Sequence, residues 1–342
     1  MSEGPEVKIT AEKICKAICG KAIDKVYCKP NANSEFAQKI IGSNVKAIET
    51  YGKNMVIVFS NGMYLRNHML MWGKWRIYNR QEFEEGKSKP PPRHILRSKM
   101  SMPTISTIGN IVNNPKCDSD LTEYEQVTRN IQGAKDTNNE FAIEVRNDSR
   151  VRLVIYTKDK VAVQFNGPIL KFSFENPANA EPITKLGPDP LRSDFDINDL
   201  KKRLSQRINN NGTVMIADLM LDQTVVAGIG NKYKSEILFL SKINPFVYIN
   251  DIPPKAIKKL LQQIASVLNI GYINAGMTRR VHKTMNNVDS KDNGNNNNNN
   301  RWSDKHWVFR RGGRPCWKCE TTIITDQKTS SRVTYWCPKC QQ

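Results

Sequence analysis

The tail of the chain limits its fold more than any other stretch. PCWKC at 315–319 and WCPKC at 336–340 set Cys316, Cys319, Cys337 and Cys340 as two C-x2-C pairs with seventeen residues between them. Each pair can turn as a knuckle, and a hairpin joining the two would close four thiolates around Zn2+. Four free thiols or two disulfides are the alternatives. A module this short has too little core to fold without a staple, which favours zinc. All four ligand positions are protein sulfur, so the expected ion is structural and has no open position for chemistry. The remaining cysteines, Cys15, Cys19, Cys28 and Cys117, are scattered.

Charge narrows the partner. Fifty-two Lys and Arg against 33 acids give a formal net charge of +19 over 342 residues. Such an excess points to a polyanion, most often nucleic acid. A membrane surface is the competing partner, yet no apolar run approaches the ~18–20 residues that span a bilayer. The polar N-terminus is no signal peptide, so the expected compartment is intracellular and reducing, with no membrane partner.

Along the chain, Val7, Ala11, Ile14 and Ile18 recur at helical spacing after Pro5, with Gly20 as the stop. Residues 44–51, 54–60 and 63–70 read as strands, the last two joined by an Asn61-Gly62 hairpin turn. From 79 to 139 the sequence becomes polar and irregular, which predicts an insertion outside the core. Strand-like alternation returns over 151–165. LGPDPL at 186–191 has linker character, and a helical stretch over 197–275 is interrupted by LDQTVVAGIGN. The Asn run at 293–300 is a low-complexity loop. The expected divisions are 1–180, a linker at 181–192, then 193–290, 291–304 and 305–342. The class is α+β.

Five further features carry chemistry. Gly228-Ile229-Gly230-Asn231 makes tight turns and launches a helix whose N–H groups would hold a phosphate. A dinucleotide fingerprint is excluded, because Tyr233 stands where the third glycine belongs and no strand precedes. Lys53 lies on a strand-to-strand turn that directs its ammonium out of the sheet. Leu70-Met71-Trp72 is an apolar trio before Gly73, suited either to ordinary packing or to filling the gap left by an extruded base. In SSRVTYW, read as a hairpin strand, Arg332 is either solvated or a phosphate contact. Glu3 and Glu6 share one side of the first helical turn, where acids complement the helix dipole or act as a catalytic pair.

Taken in order, E-G-P-E-V, Y-G-K, N-H-M-L-M-W-G, L-G-P-D-P-L, D-Q-x-V-V-A-G-I-G-N-x-Y-x-S-E and the four-cysteine ribbon resemble the Fpg/Nei DNA glycosylases. The resemblance spans nearly the whole chain except 79–139 and the Asn-rich loop. It implies a helix-led β-sandwich, a helix-two-turn-helix domain and a C-terminal zinc-finger β-hairpin, with DNA bound between halves by a monomer. It further implies a bifunctional DNA glycosylase/AP lyase of base excision repair, with the α-amine of residue 2 as nucleophile once Met1 is removed. Here residue 2 is Ser2 rather than the family's usual proline. An α-amine has a reference pKa about 2.5 units below lysine's, which favours the neutral nucleophile over Lys53 by roughly 3.4 kcal/mol.

By the same resemblance Glu3 is the general acid–base and Glu6 its supporting carboxylate. Lys53 assists the first elimination and Arg332 the second. Asn231 and Arg332 bind phosphates flanking the lesion, and Met71 is the wedge with Leu70 and Trp72 beside it. A primary imine must keep its proton to act as an electron sink, so β- and β,δ-elimination both stay open. Residues 158–166 offer no clear counterpart of the paired arginines and phenylalanine that the oxidised-purine branch places opposite the lesion, and the three-residue wedge leans the same way, toward the Nei-like branch and oxidised pyrimidines. The lesion-capping segment would fall near 277–300, at Arg279-Arg280 and the Asn run. A catalytically silent damaged-DNA-binding protein of the same fold is the rival function that Ser2 allows.

Overall fold

The computed structural model describes residues 2–29, 34–91, 148–210, 213–279, 304–327 and 329–342. The Asn run, Arg280 and most of the expected 79–139 insertion lie outside those residues.

Helix α1 (Gly4–Ile18) starts with Pro in its first turn, where a missing N–H costs nothing, and turns Val7, Ala11, Ile14 and Ile18 inward at helical spacing. At its end Cys15 and Cys19 are joined as a disulfide with 4.7 Å between Cα atoms, so these two are not the scattered thiols expected from the sequence. Strand β1 (Ile23–Cys28), helix α2 (Ser34–Gln38), then β2 (Val45–Tyr51), β3 (Asn54–Phe59), β4 (Tyr64–His68) and β5 (Lys74–Asn79) follow. After α3 (Arg80–Glu84) come β6 (Val151–Thr157), β7 (Lys160–Phe165) and β8 (Ile169–Ser173).

The strands make two four-stranded antiparallel sheets, ordered β2-β3-β4-β8 and β1-β6-β7-β5. Ile57, Leu65 and Phe172 of the first sheet face Val26, Leu153 and Ile155 of the second, and the inward stripe of α1 packs into the same core. The outer face of the second sheet is apolar too: Val154, Val161, Val163 and Phe165 are covered by Phe83 of α3. The beginning of the expected insertion is therefore packed structure. Its polar sequence conceals one phenylalanine that closes a second, smaller core.

The helical part comprises α4 (Ile197–Asn210), α5 (Ile216–Leu219), α6 (Asn231–Ser241) and α7 (Pro254–Ile273), with turns at 221–230. Leu204, Ile216, Tyr233, Ile237, Ile264 and Leu268 form its core. A short hairpin, β9 (Ile324–Asp326) and β10 (Thr334–Trp336), ends the chain. Arg332 precedes β10, on the turn and not on the strand expected to carry it. Glu236 of α6 fastens this module: its carboxylate accepts N–H bonds from Trp307, Val308 and Phe309 at 2.8–2.9 Å and the Thr278 hydroxyl. Three backbone donors and a hydroxyl make a buried carboxylate tolerable where an unpartnered one would not be.

Candidate active site

The start of α1, the β2–β3 turn, the linker and the start of α6 meet at one point. Glu3 is almost fully buried there. Its carboxylate accepts from the backbone N–H groups of Gly230, Lys232 and Tyr233 at 3.0–3.2 Å. The donors expected to hold a phosphate are thus taken by the protein's own acid. The unfilled donors and dipole of a helix N-terminus bind any well-placed anion, and Glu3 is the one supplied. Gly230 makes the approach possible, since a Cβ there would lie 2.5 Å from the Glu3 carboxyl carbon. Burial pushes the Glu3 carboxyl above its ordinary range, with Glu6 adding to the rise. Lys232, Lys53 and the backbone donor of Lys232 pull the other way.

Glu6 lies one turn on. It accepts from the backbone N–H of Glu3 at 3.2 Å and from the Tyr233 hydroxyl at 3.1 Å, and it is ion-paired with Lys232. Lys232 also donates to the Gly276 carbonyl at 3.1 Å. Glu6 thereby holds the Ser2-Glu3 peptide through one oxygen, while donors from α6 occupy the other.

Lys53 sits on the β2–β3 turn, half-buried rather than projecting into solvent. Burial lowers its pKa from lysine's usual value; Glu3 opposes this and Arg332 adds to it, which sets all three within electrostatic reach. The turn itself is fixed. Gly52 adopts φ +57°, and its N–H donates to buried Asp189 of the linker at 2.8 Å. The other Asp189 oxygen accepts from Leu191, and Ala227 N–H donates to the Pro188 carbonyl at 3.1 Å. LGPDPL is accordingly a clasp between the two halves and not a free tether.

The Leu70-Met71-Trp72 trio has its own support. Half-buried His68 accepts the Leu70 N–H on Nδ1 at 3.2 Å, and the Leu70 carbonyl accepts the Ser2 N–H at 3.5 Å. Burial lowers the His68 pKa to about 4, with Lys53 and Arg66 contributing, so the imidazole is neutral at physiological pH. Leu70 has φ +47°, and Met71 and Trp72 beyond it are 39% and 38% exposed. Two large apolar side chains thus stand at the surface close to Ser2. Asn231 opens α6, and its side-chain carbonyl is buried with no hydrogen-bond partner among the described residues.

The four tail cysteines converge. Their sulfurs all lie within 4.8 Å of one another, with Cys319 3.4 Å from both Cys337 and Cys340, and Cys316 3.9 Å from Cys340. A tetrahedron with Zn–S bonds of about 2.3 Å has edges of about 3.8 Å, so four sulfurs within 4.8 Å of one another could close on zinc with small side-chain shifts.

Two family models match the sequence: the formamidopyrimidine-DNA glycosylase N-terminal domain over residues 1–105, and the formamidopyrimidine-DNA glycosylase H2TH domain over 186–282. Between them they cover more than half of the chain. The chain belongs to the Fpg/Nei family. Formamidopyrimidine-DNA glycosylase of Ligilactobacillus salivarius (strain UCC118) is 27% identical over 346 residues, spanning 100% of this chain and 99% of that protein. Endonuclease 8 of Escherichia coli O17:K52:H18 is 24% identical, spanning 100% of both. Among solved structures, the Lactococcus lactis Fpg in complex with abasic-site DNA has a TM-score of 0.66 at 20% identity, covering 100% of both chains, a likeness of fold. Fpg/Nei proteins are DNA glycosylases of base excision repair. Among the described residues no helix is long and apolar enough to cross a membrane.

Several residues that build this Fpg/Nei site escaped the sequence reading. Lys232 and Lys234 occupy two of the three positions that the family motif leaves open. Asp189 was concealed within a linker, and His68 within a strand end. The side chain of Gln223 accepts from Gly228 N–H and donates to the Leu221 and Ile229 carbonyls, which shapes the 221–230 turns. Only tertiary contact reveals these roles, although a buried-polar pattern next to the motif glycines was a visible signal.

Proposed function

We propose that the protein is a bifunctional DNA glycosylase/AP lyase that excises oxidised bases, pyrimidines in preference, through a Schiff base on the Ser2 α-amine. With Met1 removed, that amine attacks C1′ of an extruded nucleotide. The C1′–base bond breaks, its electron pair leaves with the base, and the base takes up a proton. The sugar opens as C1′=N forms, and O4′ receives a proton from Glu3, whose burial favours the protonated acid. Loss of a C2′ proton then drives cleavage of the C3′–O bond, with Lys53 assisting. A second elimination at C5′, assisted by Arg332, expels the other phosphate, and water hydrolyses the imine to return the amine. Glu6 supports Glu3 by fixing its peptide.

DNA is the partner that the +19 charge calls for. Asn231 and Arg332 contact phosphates flanking the lesion, and Met71, with Leu70 and Trp72, fills the space the extruded base leaves. Cys316, Cys319, Cys337 and Cys340 hold a structural Zn2+ that stiffens the hairpin bearing Arg332.

The observation that carries this reading is the meeting of Ser2, buried Glu3 and desolvated Lys53 beside the exposed Met71-Trp72 pair. A protein whose N-terminus is blocked by an uncleaved tag tests it. Such protein is expected to bind abasic DNA but not to cut it; full cutting by the blocked form contradicts the assignment of Ser2. Excision measured over a panel of oxidised bases tests the substrate class, with oxidised pyrimidines expected to be released faster than oxidised purines.

A further inference from the structure

Lys234 has no role in the reaction above, and its setting is unusual. It is fully buried on α6, and among the described residues its ammonium has one hydrogen-bond partner, the Thr334 hydroxyl at 2.9 Å. A buried cation whose one hydrogen-bond partner is a neutral oxygen is costly to hold, and Asp218 and Glu3 offset that cost only through space. Thr334 Oγ1 in turn donates to the Arg332 carbonyl at 3.0 Å and lies 3.1 Å from Ser330 Oγ, which donates to the same carbonyl at 2.8 Å. Ser331 closes the loop from the other side, its N–H and hydroxyl both bonding Asp218. The backbone of Arg332 is therefore tied to α6, the helix whose first N–H groups hold Glu3.

We propose that Lys234 is a positioning residue that sets Arg332 against Glu3, acting through the Thr334 hydroxyl. Helix α6 serves as a common ruler, with its first turn locating the acid and Lys234 locating the phosphate-binding cation across the interface with the zinc module. A neutral residue at 234 would leave Thr334 free to rotate and the Arg332 carbonyl with one fixed partner fewer. The inference rests on the assignment of Arg332 to a DNA phosphate.

The test uses full-length protein and a duplex carrying an uncleavable tetrahydrofuran abasic analogue, with binding measured across a salt series and zinc content measured alongside. Arg332→Ala is expected to weaken binding and to lower the slope of log K against log salt by about 1. Thr334→Val and Lys234→Met are expected to reproduce most of that loss with zinc retained, and Thr334→Ser to restore it. In the Thr334→Val background, Arg332→Ala should cost little more, because one contact has already been lost. Wild-type affinity in both Thr334→Val and Lys234→Met, beside a weakened Arg332→Ala, overturns the positioning role alone; so do effects of Thr334→Val and Arg332→Ala that multiply in full. An Arg332→Ala protein that binds as wild type overturns the phosphate assignment itself.

Discussion

At the scale of single residues, Glu3 is the acid to which the proposal gives a structural and a chemical task together. It fills the start of α6 and, by burial, sits above its ordinary pKa range. Glu3→Gln keeps the shape but not the transferable proton, and is expected to slow base excision by about 10²–10⁴-fold, as loss of a general acid does. Gly230→Ala leaves Glu3 in the sequence but drives a methyl into its carboxyl group. It should cost nearly as much activity in a single-turnover excision assay while circular dichroism stays native. His68 supplies a pH signature. Its folded pKa of about 4 lies below the ordinary 6.5, so the neutral ring stabilises the fold fully above pH 6.5, and that stability drains as pH falls toward 4. Over this window wild type should lose about 1.4 kcal/mol per pH unit more than His68→Asn in denaturant titrations. The sequence pointed to Glu3 and Glu6 only through the family resemblance, since two acids in a first turn equally well answer a helix dipole. Lys232 and Lys234 were illegible because their partners lie on other elements.

At the scale of elements, strong alternation and turn chemistry were readable and irregular edges were not. Strands β2 to β4 were visible because Asn61-Gly62 marks a turn between alternating apolar runs. Strand β1 hides behind a bulge between Ile23 and Lys25 that breaks its period, and β8 is five residues long with a Gly-Pro before it. The cysteine module was legible as a metal site from spacing alone, yet its attachment was not, since Glu236 reads as an ordinary helical acid. These two features make separable predictions. Cys337→Ser should release zinc, measured by mass spectrometry, and disorder the hairpin. Glu236→Ala should retain zinc but strip three backbone N–H groups of their acceptor, lowering stability by about 3 kcal/mol or more and loosening the module from α6 in hydrogen exchange.

At the scale of the whole molecule, the proposed N-terminal nucleophile depends on two halves that hold it in place. The linker does this through Asp189, which ties the Lys53 turn to the 187–191 segment, while Gly4 N–H donates to the Gly228 carbonyl at 2.8 Å. Asp189→Ala removes a buried acceptor of two N–H bonds and is expected to lower the unfolding free energy by about 2–4 kcal/mol in denaturant titration. The two-part architecture was legible from the change in periodicity at the linker; its rigidity was not, because Pro and Gly mark both loose tethers and tight clasps. The account's central claim is that all of this frames one amine on Ser2. Borohydride trapping on abasic DNA, followed by peptide mapping of the covalent adduct, tests it most directly. The expected adduct is a single DNA-linked peptide beginning at Ser2 with Met1 absent. An adduct on Lys53, or efficient strand cutting with no trapped adduct, would contradict it.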